Sequence, residues 1–321
     1  MYLVTGGAGF IGSNLVRGLN ARGIDDILIV DDLEHGDKHR SLNSLEFRDL
    51  VDYRVFGEAP ERFLHARTEA IFHQGACSDT TEKNGRFMVS VNYEYSKRLL
   101  DVALVRGCPF LYASSAAVYG DGDDGFVETP HCEWPLNVYG FSKQLFDRHV
   151  RRVLPSAESQ IVGLRYFNVY GPQENHKGRM ASVVLKFHEQ ATSKGELRIF
   201  EGSEKFLRDF VFVDDVVAVN LHFLEHPERS GIFNCGSGVA ESFRKLAEET
   251  ARHYAGAKIV EIPFPDDLKG KYQAYTCADL SRLRAAGFTR PMTSLADGVA
   301  AYVKVLKQGG GYYRRPATPS A

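Results

Sequence analysis

No apolar run in this 321-residue chain approaches the roughly 18 residues a helix needs to cross a bilayer, which argues against a membrane protein. Charge of one sign is also missing. Lys and Arg number 39 against 41 Asp and Glu, for a formal net charge of -2, and no basic block clusters, so no nucleic-acid surface is expected. Cysteine is scarce and unpatterned: Cys77, Cys108, Cys132, Cys235 and Cys277 are odd in number and form no CxxC pair. A disulfide framework and a structural zinc site are therefore not expected, and no metal is assigned. There is no leader pattern, because Met1 is followed at once by the strand-like Tyr2-Leu3-Val4-Thr5, so the expected compartment is the cytoplasm. No internal repeat is visible.

What is present is an ordinary soluble composition, 44% apolar and 25% charged, in a chain long enough for a large domain and a smaller companion. Short apolar runs at Tyr2 to Thr5, Ile27 to Asp31, Ala70 to His73, Phe110 to Ser114 and Ile161 to Tyr166 predict strands. Helical patterns separate them, notably Phe10 to Arg22, Arg86 to Arg106 and Leu136 to Val153. This alternation predicts an α/β fold with a parallel sheet. After Asn168 the rhythm changes. A loop rich in Gly, Pro and Gln at 170–178 leads to a helix near Met180, a strand at Leu197 to Phe200 and an apolar strand at Phe210 to Val213. A helix from Asp214 and a strand at Gly231 to Cys235 follow, and the apolar stretches at 210–235 read as a return to the main sheet.

Thr5-Gly6-Gly7-Ala8-Gly9-Phe10-Ile11-Gly12 falls between the first strand and the first helix, where a phosphate-binding turn belongs. Gly6 permits the turn, Gly9 lets the backbone approach a pyrophosphate, and Gly12 allows close helix packing. The fold expected is thus a Rossmann-like doubly wound parallel sheet with a smaller α/β substrate-binding domain. The boundaries expected are 1–167 plus about 210–236 for the dinucleotide domain, 168–209 plus about 237–308 for the second, and a flexible tail at 309–321. Asp31, ending the second strand, is placed to accept from the adenosine ribose and would repel a 2'-phosphate; its alternative is a turn cap. Lys38 and Arg54 could hold such a phosphate, so NAD and NADP both stay open. Gln74, Gly75, Ala76, Cys77 and Ser78 close the third predicted strand with small residues where ligands collect.

Tyr139 and Lys143, at i and i+4, share one face of a predicted helix. A nearby ammonium would stabilise the phenolate and lower the phenol pKa, while Ser115 at the end of the fourth predicted strand could share the substrate oxygen. This set points to redox chemistry at a carbinol.

TGGAGFIG at 5–12, SSAAVYG at 114–120 and YGFSK at 139–143, in this order, resemble the extended short-chain dehydrogenase/reductases that act on nucleotide sugars. Longer stretches, among them FHQGACSDTTE at 72–82, HKGRMAS at 176–182, FEGSEKFLRDFVFV at 200–213 and LKGKYQAYT at 268–276, are most similar to the heptose 6-epimerase branch of that family. The resemblance implies an NADP-dependent epimerase, working as a homopentamer, that inverts C6 of the heptose in an ADP-heptose through a 6-keto intermediate for lipopolysaccharide core synthesis. It implies that Tyr139 and Lys177 serve opposite faces of the carbinol. Phe10, Ile11, Asp32, Asn92, Val169 and Lys177 join the cofactor site by resemblance. Ser115, Asn168, Arg179, Lys186, Phe200, Glu201, Gly202, Ser203, Arg208 and Tyr272 join the substrate site. Arg208 could grip a phosphate with both arms or instead pair with Glu204 or Asp209. Arg179 and Lys186 depart from the family, where a small Ser and a His are usual. The rivals are a UDP-hexose 4-epimerase, a 4,6-dehydratase and a non-catalytic dinucleotide sensor. Ala116 and Ala117 stand where a dehydratase needs an acidic pair, and a sensor would not need an intact Ser, Tyr and Lys set.

Overall fold

The computed structural model describes residues 1–64, 68–265 and 273–314. The first half lays down strands and helices in turn: β1 (Tyr2–Thr5), α1 (Phe10–Asn20), β2 (Ile27–Asp31), α2 (His39–Leu42), β3 (Asp49–Asp52) and α3 (Tyr53–Glu58). Next come β4 (Ala70–His73), α4 (Gly85–Val89), α5 (Tyr95–Val105), β5 (Phe110–Ser115), α6 (Val138–Val153) and β6 (Ile161–Tyr166). The second half holds β7 (Asn168–Tyr170), α7 (Val183–Lys194), β8 (Glu196–Phe200), β9 (Leu207–Phe212), α8 (Val213–Glu225) and β10 (Gly231–Cys235). It continues with β11 (Ala240–Ser242), α9 (Phe243–Ala251), β12 (Lys258–Ile262), α10 (Ser281–Ala285) and α11 (Leu295–Gly309). None of these helices is long and apolar enough to cross a membrane.

Seven strands form one parallel sheet in the order β10-β6-β5-β4-β1-β2-β3, the doubly wound arrangement the alternation predicts. Its inner strands are buried on both faces, which is why they read as unbroken apolar runs such as Ile27-Leu28-Ile29-Val30. The edge strand β3, Asp49-Leu50-Val51-Asp52, escapes that pattern because an edge needs no continuous apolar run and carries charge at both ends.

Three expectations change. The apolar stretch at 210–213 does not return to the main sheet. It belongs to β9, which pairs with β7 and β11 in a separate three-stranded sheet, while β10 alone completes the seven. A buried apolar strand carries no mark of which sheet will take it. The long helix expected at 86–106 is interrupted, since Ser90–Glu94 winds as a π-helical turn between α4 and α5. The first residues of the expected flexible tail are docked instead: Tyr312 is 5% exposed, and the chain packs there on α1 and α2. Residues 315–321 lie outside the described part.

Candidate active site

A cleft of about 750 Å³ opens at the carboxyl ends of β1, β2, β4 and β5, the position where doubly wound sheets hold ligands. Its floor is the glycine turn. Gly6 takes φ +68°, and a Cβ there would lie 2.7 Å from the Gly75 nitrogen at the end of β4. At Gly12 a Cβ would fall 2.0 Å from the Gly6 carbonyl oxygen, so a side chain would force α1 off the turn. Gly9 caps α1 with no side chain of its own, leaving the first N–H groups of the helix open to an anion. Gly6, Gly9, Phe10, Ile11 and Gly12 all line the cleft, as do Gln74, Gly75, Ala76, Cys77, Ser78 and Val169. This cradle fits the pyrophosphate of a dinucleotide.

At one end the cleft is lined by Asp31, Asp32, Lys38 and Arg54. Asp31, expected on the ribose, lines the cleft with both oxygens already engaged within the protein. One of its oxygens accepts the Ala8 N–H at 2.8 Å, and the other accepts the Asp32 N–H and the Lys38 ammonium, each at 2.8 Å. Asp31 therefore fastens the glycine turn and is already neutralised by Lys38. Burial pulls the Lys38 ammonium down, but Asp31 and Asp32 outweigh it and hold it above its ordinary value. Arg54 is exposed and paired with Glu34 and Asp52.

The chemical residues stand in the middle. Asn137 caps α6 by accepting the Gly140 N–H at 2.8 Å, which starts the helix one residue before Tyr139. Gly140 presses that first turn against the chain after Ser115, where a Cβ would meet the Ala117 carbonyl oxygen at 2.6 Å. This brings Tyr139, Ser115 and Lys143 into one wall of the cleft. Burial raises the Tyr139 phenol above its ordinary pKa, and a hydrogen bond with Ser115 offsets only part of that. The expected lowering by Lys143 is absent: its ammonium donates to the Ala113 carbonyl at 2.8 Å instead. Burial brings Lys143 down to about 8, against the opposing pull of Asp147.

Behind this wall lies a charged layer that motif reading missed. Asp147, one turn beyond Lys143, accepts from Tyr112 at 2.9 Å, Ser114 at 3.0 Å and Arg165 at 2.9 Å. Arg165, fully buried, also pairs with Glu133, which in turn holds Arg151. Asn92, expected on the cofactor, does not line the cleft. From the π-helical turn its side chain holds the Cys77 backbone on both sides, each at 2.9 Å, and donates to Ser142 at 3.0 Å. Ser142 in turn donates to the Tyr139 carbonyl at 2.7 Å, so Asn92 braces the site from behind.

Lys177 lines the same cleft from a 3₁₀ segment at Asn175–Met180, here called the turn wall. Its ammonium lies 5.1 Å from the centre of the Phe10 ring. Burial lowers its pKa, with Glu174 opposing and Lys186 adding to the fall. Glu174 is fully buried and accepts the Ser182 N–H at 2.7 Å, fixing the turn to the start of α7. Three residues before Lys177, it was the missed signal on this side. Arg179 lines the mouth and reaches Asp79 at 2.6 Å and Thr81 at 2.5 Å on the opposite rim. Lys186 is outside the cleft lining and donates to the Arg179 carbonyl at 3.0 Å.

Among the described residues, the others expected on the substrate do not line this cleft. Asn168 is the exposed first residue of β7, opposite Phe210 in the small sheet. Phe200 ends β8, and Glu201 to Ser203 follow in the turn, with Gly202 at φ +77°. Arg208, in β9, donates to the Leu207 carbonyl at 2.9 Å and to the Gln273 carbonyl, binding the small sheet to the chain at 273. Tyr272 lies outside the described residues. No group of acids, histidines and cysteines able to hold a metal occurs among the described residues.

The profile of the NAD dependent epimerase/dehydratase family matches residues 2–236. The chain is 54% identical over 316 residues to a curated ADP-L-glycero-D-manno-heptose-6-epimerase of Brachyspira hyodysenteriae, covering 97% of this chain and 99% of that one. It is similar to the crystal structure of the Helicobacter pylori ADP-L-glycero-D-manno-heptose-6-epimerase, with a TM-score of 0.82, 30% identity and coverage of 95% and 96%. A Thermus thermophilus UDP-glucose 4-epimerase in complex with NAD matches with a TM-score of 0.78, 27% identity and coverage of 96% and 99%.

Proposed function

The chain belongs to the NAD dependent epimerase/dehydratase family, and from that premise we propose that it inverts C6 of the heptose in an ADP-glycero-manno-heptose. The observation that carries this reading is that Tyr139 and Lys177, two side chains able to carry a proton, line one cleft. A dehydrogenase of one stereochemistry needs a single acid/base; an enzyme that serves both hands of a carbinol is better served by two. The glycine turn and the residues ending β4 would hold a nicotinamide dinucleotide, which when bound would accept and return the carbinol hydrogen as hydride. Tyr139, braced by Ser115 and by Ser142 at its carbonyl, moves the hydroxyl proton for one hand. Lys177, its ammonium weakened by burial, moves it for the other across a transient 6-ketone. Lys143 anchors the floor through Ala113. The substrate side chain turns its other face to the cofactor between the two half-reactions.

The cofactor we propose is NADP. Asp31 has both oxygens engaged and its charge met by Lys38, while Arg54 stands beside it. A 2'-phosphate there meets two cations rather than a bare carboxylate. By resemblance the product supplies the lipopolysaccharide core, made in the cytoplasm by a homopentamer.

Incubation with ADP-D-glycero-D-manno-heptose, followed by chromatographic resolution of the C6 epimers, tests the reaction. Interconversion is expected; its absence together with activity on a UDP-hexose would overturn the assignment. In the same preparation, released nucleotide should be NADP, and Lys38→Ala with Arg54→Ala should shift preference toward NAD.

A further inference from the structure

The 3₁₀ segment that carries Lys177 is short, and helices of the main sheet do not grip it from both sides. Its fastenings are therefore informative. On one side Glu174 ties it to Ser182, and Asn14 of α1 donates to the Pro172 carbonyl at 2.9 Å. On the other side stands the end of the described chain. α11 stops at Gly309, and Gly310 at φ +62° and Gly311 at φ +92° turn the backbone onto the loop. The Gln173 N–H donates to the Gly311 carbonyl at 2.7 Å, and Asn175 donates to the Gly310 carbonyl at 3.1 Å. The fit is close, since a Cβ at Gly311 would lie 2.3 Å from the Asn175 side-chain oxygen.

The next two residues grip the cofactor-side helices. Arg40 of α2 lies over the Tyr312 ring at 4.4 Å, and Arg17 of α1 lies over the Tyr313 ring at 4.2 Å. Gln173 itself takes φ +77°, the single non-glycine residue in the left-handed region among those described, and it is fully buried. Such a conformation persists where neighbours enforce it, and the bond to Gly311 is on that very peptide.

We propose that Gly310–Tyr313 is a positioning clasp: it holds the 173–177 turn against α1 and so sets Lys177 into the cleft that Tyr139 also lines. The clasp is not catalytic, because none of its residues lines the cleft. The inference rests on the reading of Lys177 as a proton carrier. Its consequence is that the end of the chain controls one half-reaction from outside the site, by fixing how deeply Lys177 is buried.

The test compares the full chain with chains ended after Arg314 and after Gly309, and with Tyr312→Phe and the double variant Tyr312→Ala, Tyr313→Ala. Ending after Arg314 should change nothing. Ending after Gly309, or removing both rings, should lower kcat for C6 inversion roughly ten- to hundredfold while bound nucleotide is retained. The rising limb of the pH–rate profile should move to higher pH as Lys177 returns toward its ordinary value, and amide exchange over 174–180 should speed up. Tyr312→Phe should behave as the full chain, because the Tyr312 hydroxyl has no hydrogen-bond partner among the described residues. A chain ended after Gly309 with its rate and amide protection intact overturns the clasp. So does a slower chain whose pH limb and protection have not moved. If the full chain fails to invert the heptose, the fault lies with the proposed reaction, and the exchange comparison still decides the clasp.

Discussion

On one wall of the cleft, Tyr139 and Lys143 ride a 16-residue helix whose back is pinned by Asp147, Arg165 and Glu133. On the other, Lys177 sits in a 6-residue 3₁₀ segment held by loop hydrogen bonds and by the end of the chain. Each wall presents one of the two proposed proton carriers, half-buried, yet they are secured at different levels of structure. The helix wall is fixed by the sheet and by charges that have no route to water. The turn wall is fixed by a few hydrogen bonds, from Asn14, Ser182, Gly310 and Gly311, and belongs to no sheet. The proposed inversion would thus run between a wall held by the sheet and a wall held by a loop.

The comparison breaks most sharply at the proton carriers themselves. Lys177→Met and Tyr139→Phe should each lower C6 inversion about 10²- to 10⁴-fold while nucleotide stays bound, measured by epimer resolution and by nucleotide release on denaturation. Unchanged turnover in Lys177→Met would leave the turn wall with no chemical part. Next in size is stability. Arg165→Met leaves two buried carboxylates without their shared cation and should cost about 3–5 kcal/mol in urea unfolding. Arg179→Ser breaks a pair whose arginine is 68% exposed and should cost less than about 1 kcal/mol, diminishing further in high salt.

A separate comparison uses pH. Burial holds His73, behind the glycine turn, down to about 3, and holds His176, on the turn wall, down to about 4. The unfolded rings titrate near about 6.5, so unfolding takes up protons below that pH. Their contribution to stability is whole above about 6.5 and is lost as pH falls toward the folded values, by at most about 1.4 kcal/mol per pH unit for each ring. His73→Asn should flatten the acid side of the urea-midpoint curve more than His176→Asn, because His73 is the more deeply enclosed. Equal slopes would remove the distinction between the walls in this respect.

The sheet and the helix wall were largely legible in the sequence because both are written in local patterns. Apolar runs marked six of the seven main-sheet strands, the glycine spacing the turn, and Tyr139 with Lys143 a helical face. What could not be read was set by partners distant in the chain. Nothing local to Asp31 announces that Ala8 and Lys38 will occupy both its oxygens. Nothing near Lys143 shows that its ammonium will turn to Ala113 rather than to the phenol. The strand at 207–212 looks as apolar as its neighbours, and pairing alone sends it to the small sheet. Lys177 was reached by resemblance, and the residues that fasten it, Glu174 and Gly311, belong to no spacing rule.

One feature of the sheet bears on how the molecule comes into being. β10 pairs with β6, yet the two are separated by β7, α7, β8, β9 and α8. As the chain leaves the ribosome, the first six strands can assemble while β6 still presents a bare, apolar margin to solvent. That margin is sealed only when Gly231–Cys235 arrives, after much of the second lobe has been synthesised. Late closure of this kind places a slow, long-range step near the end of folding and makes the half-made product a target for aggregation or chaperone capture. A chain cut at residue 167 would lack β10 and leave that seam of the main sheet open.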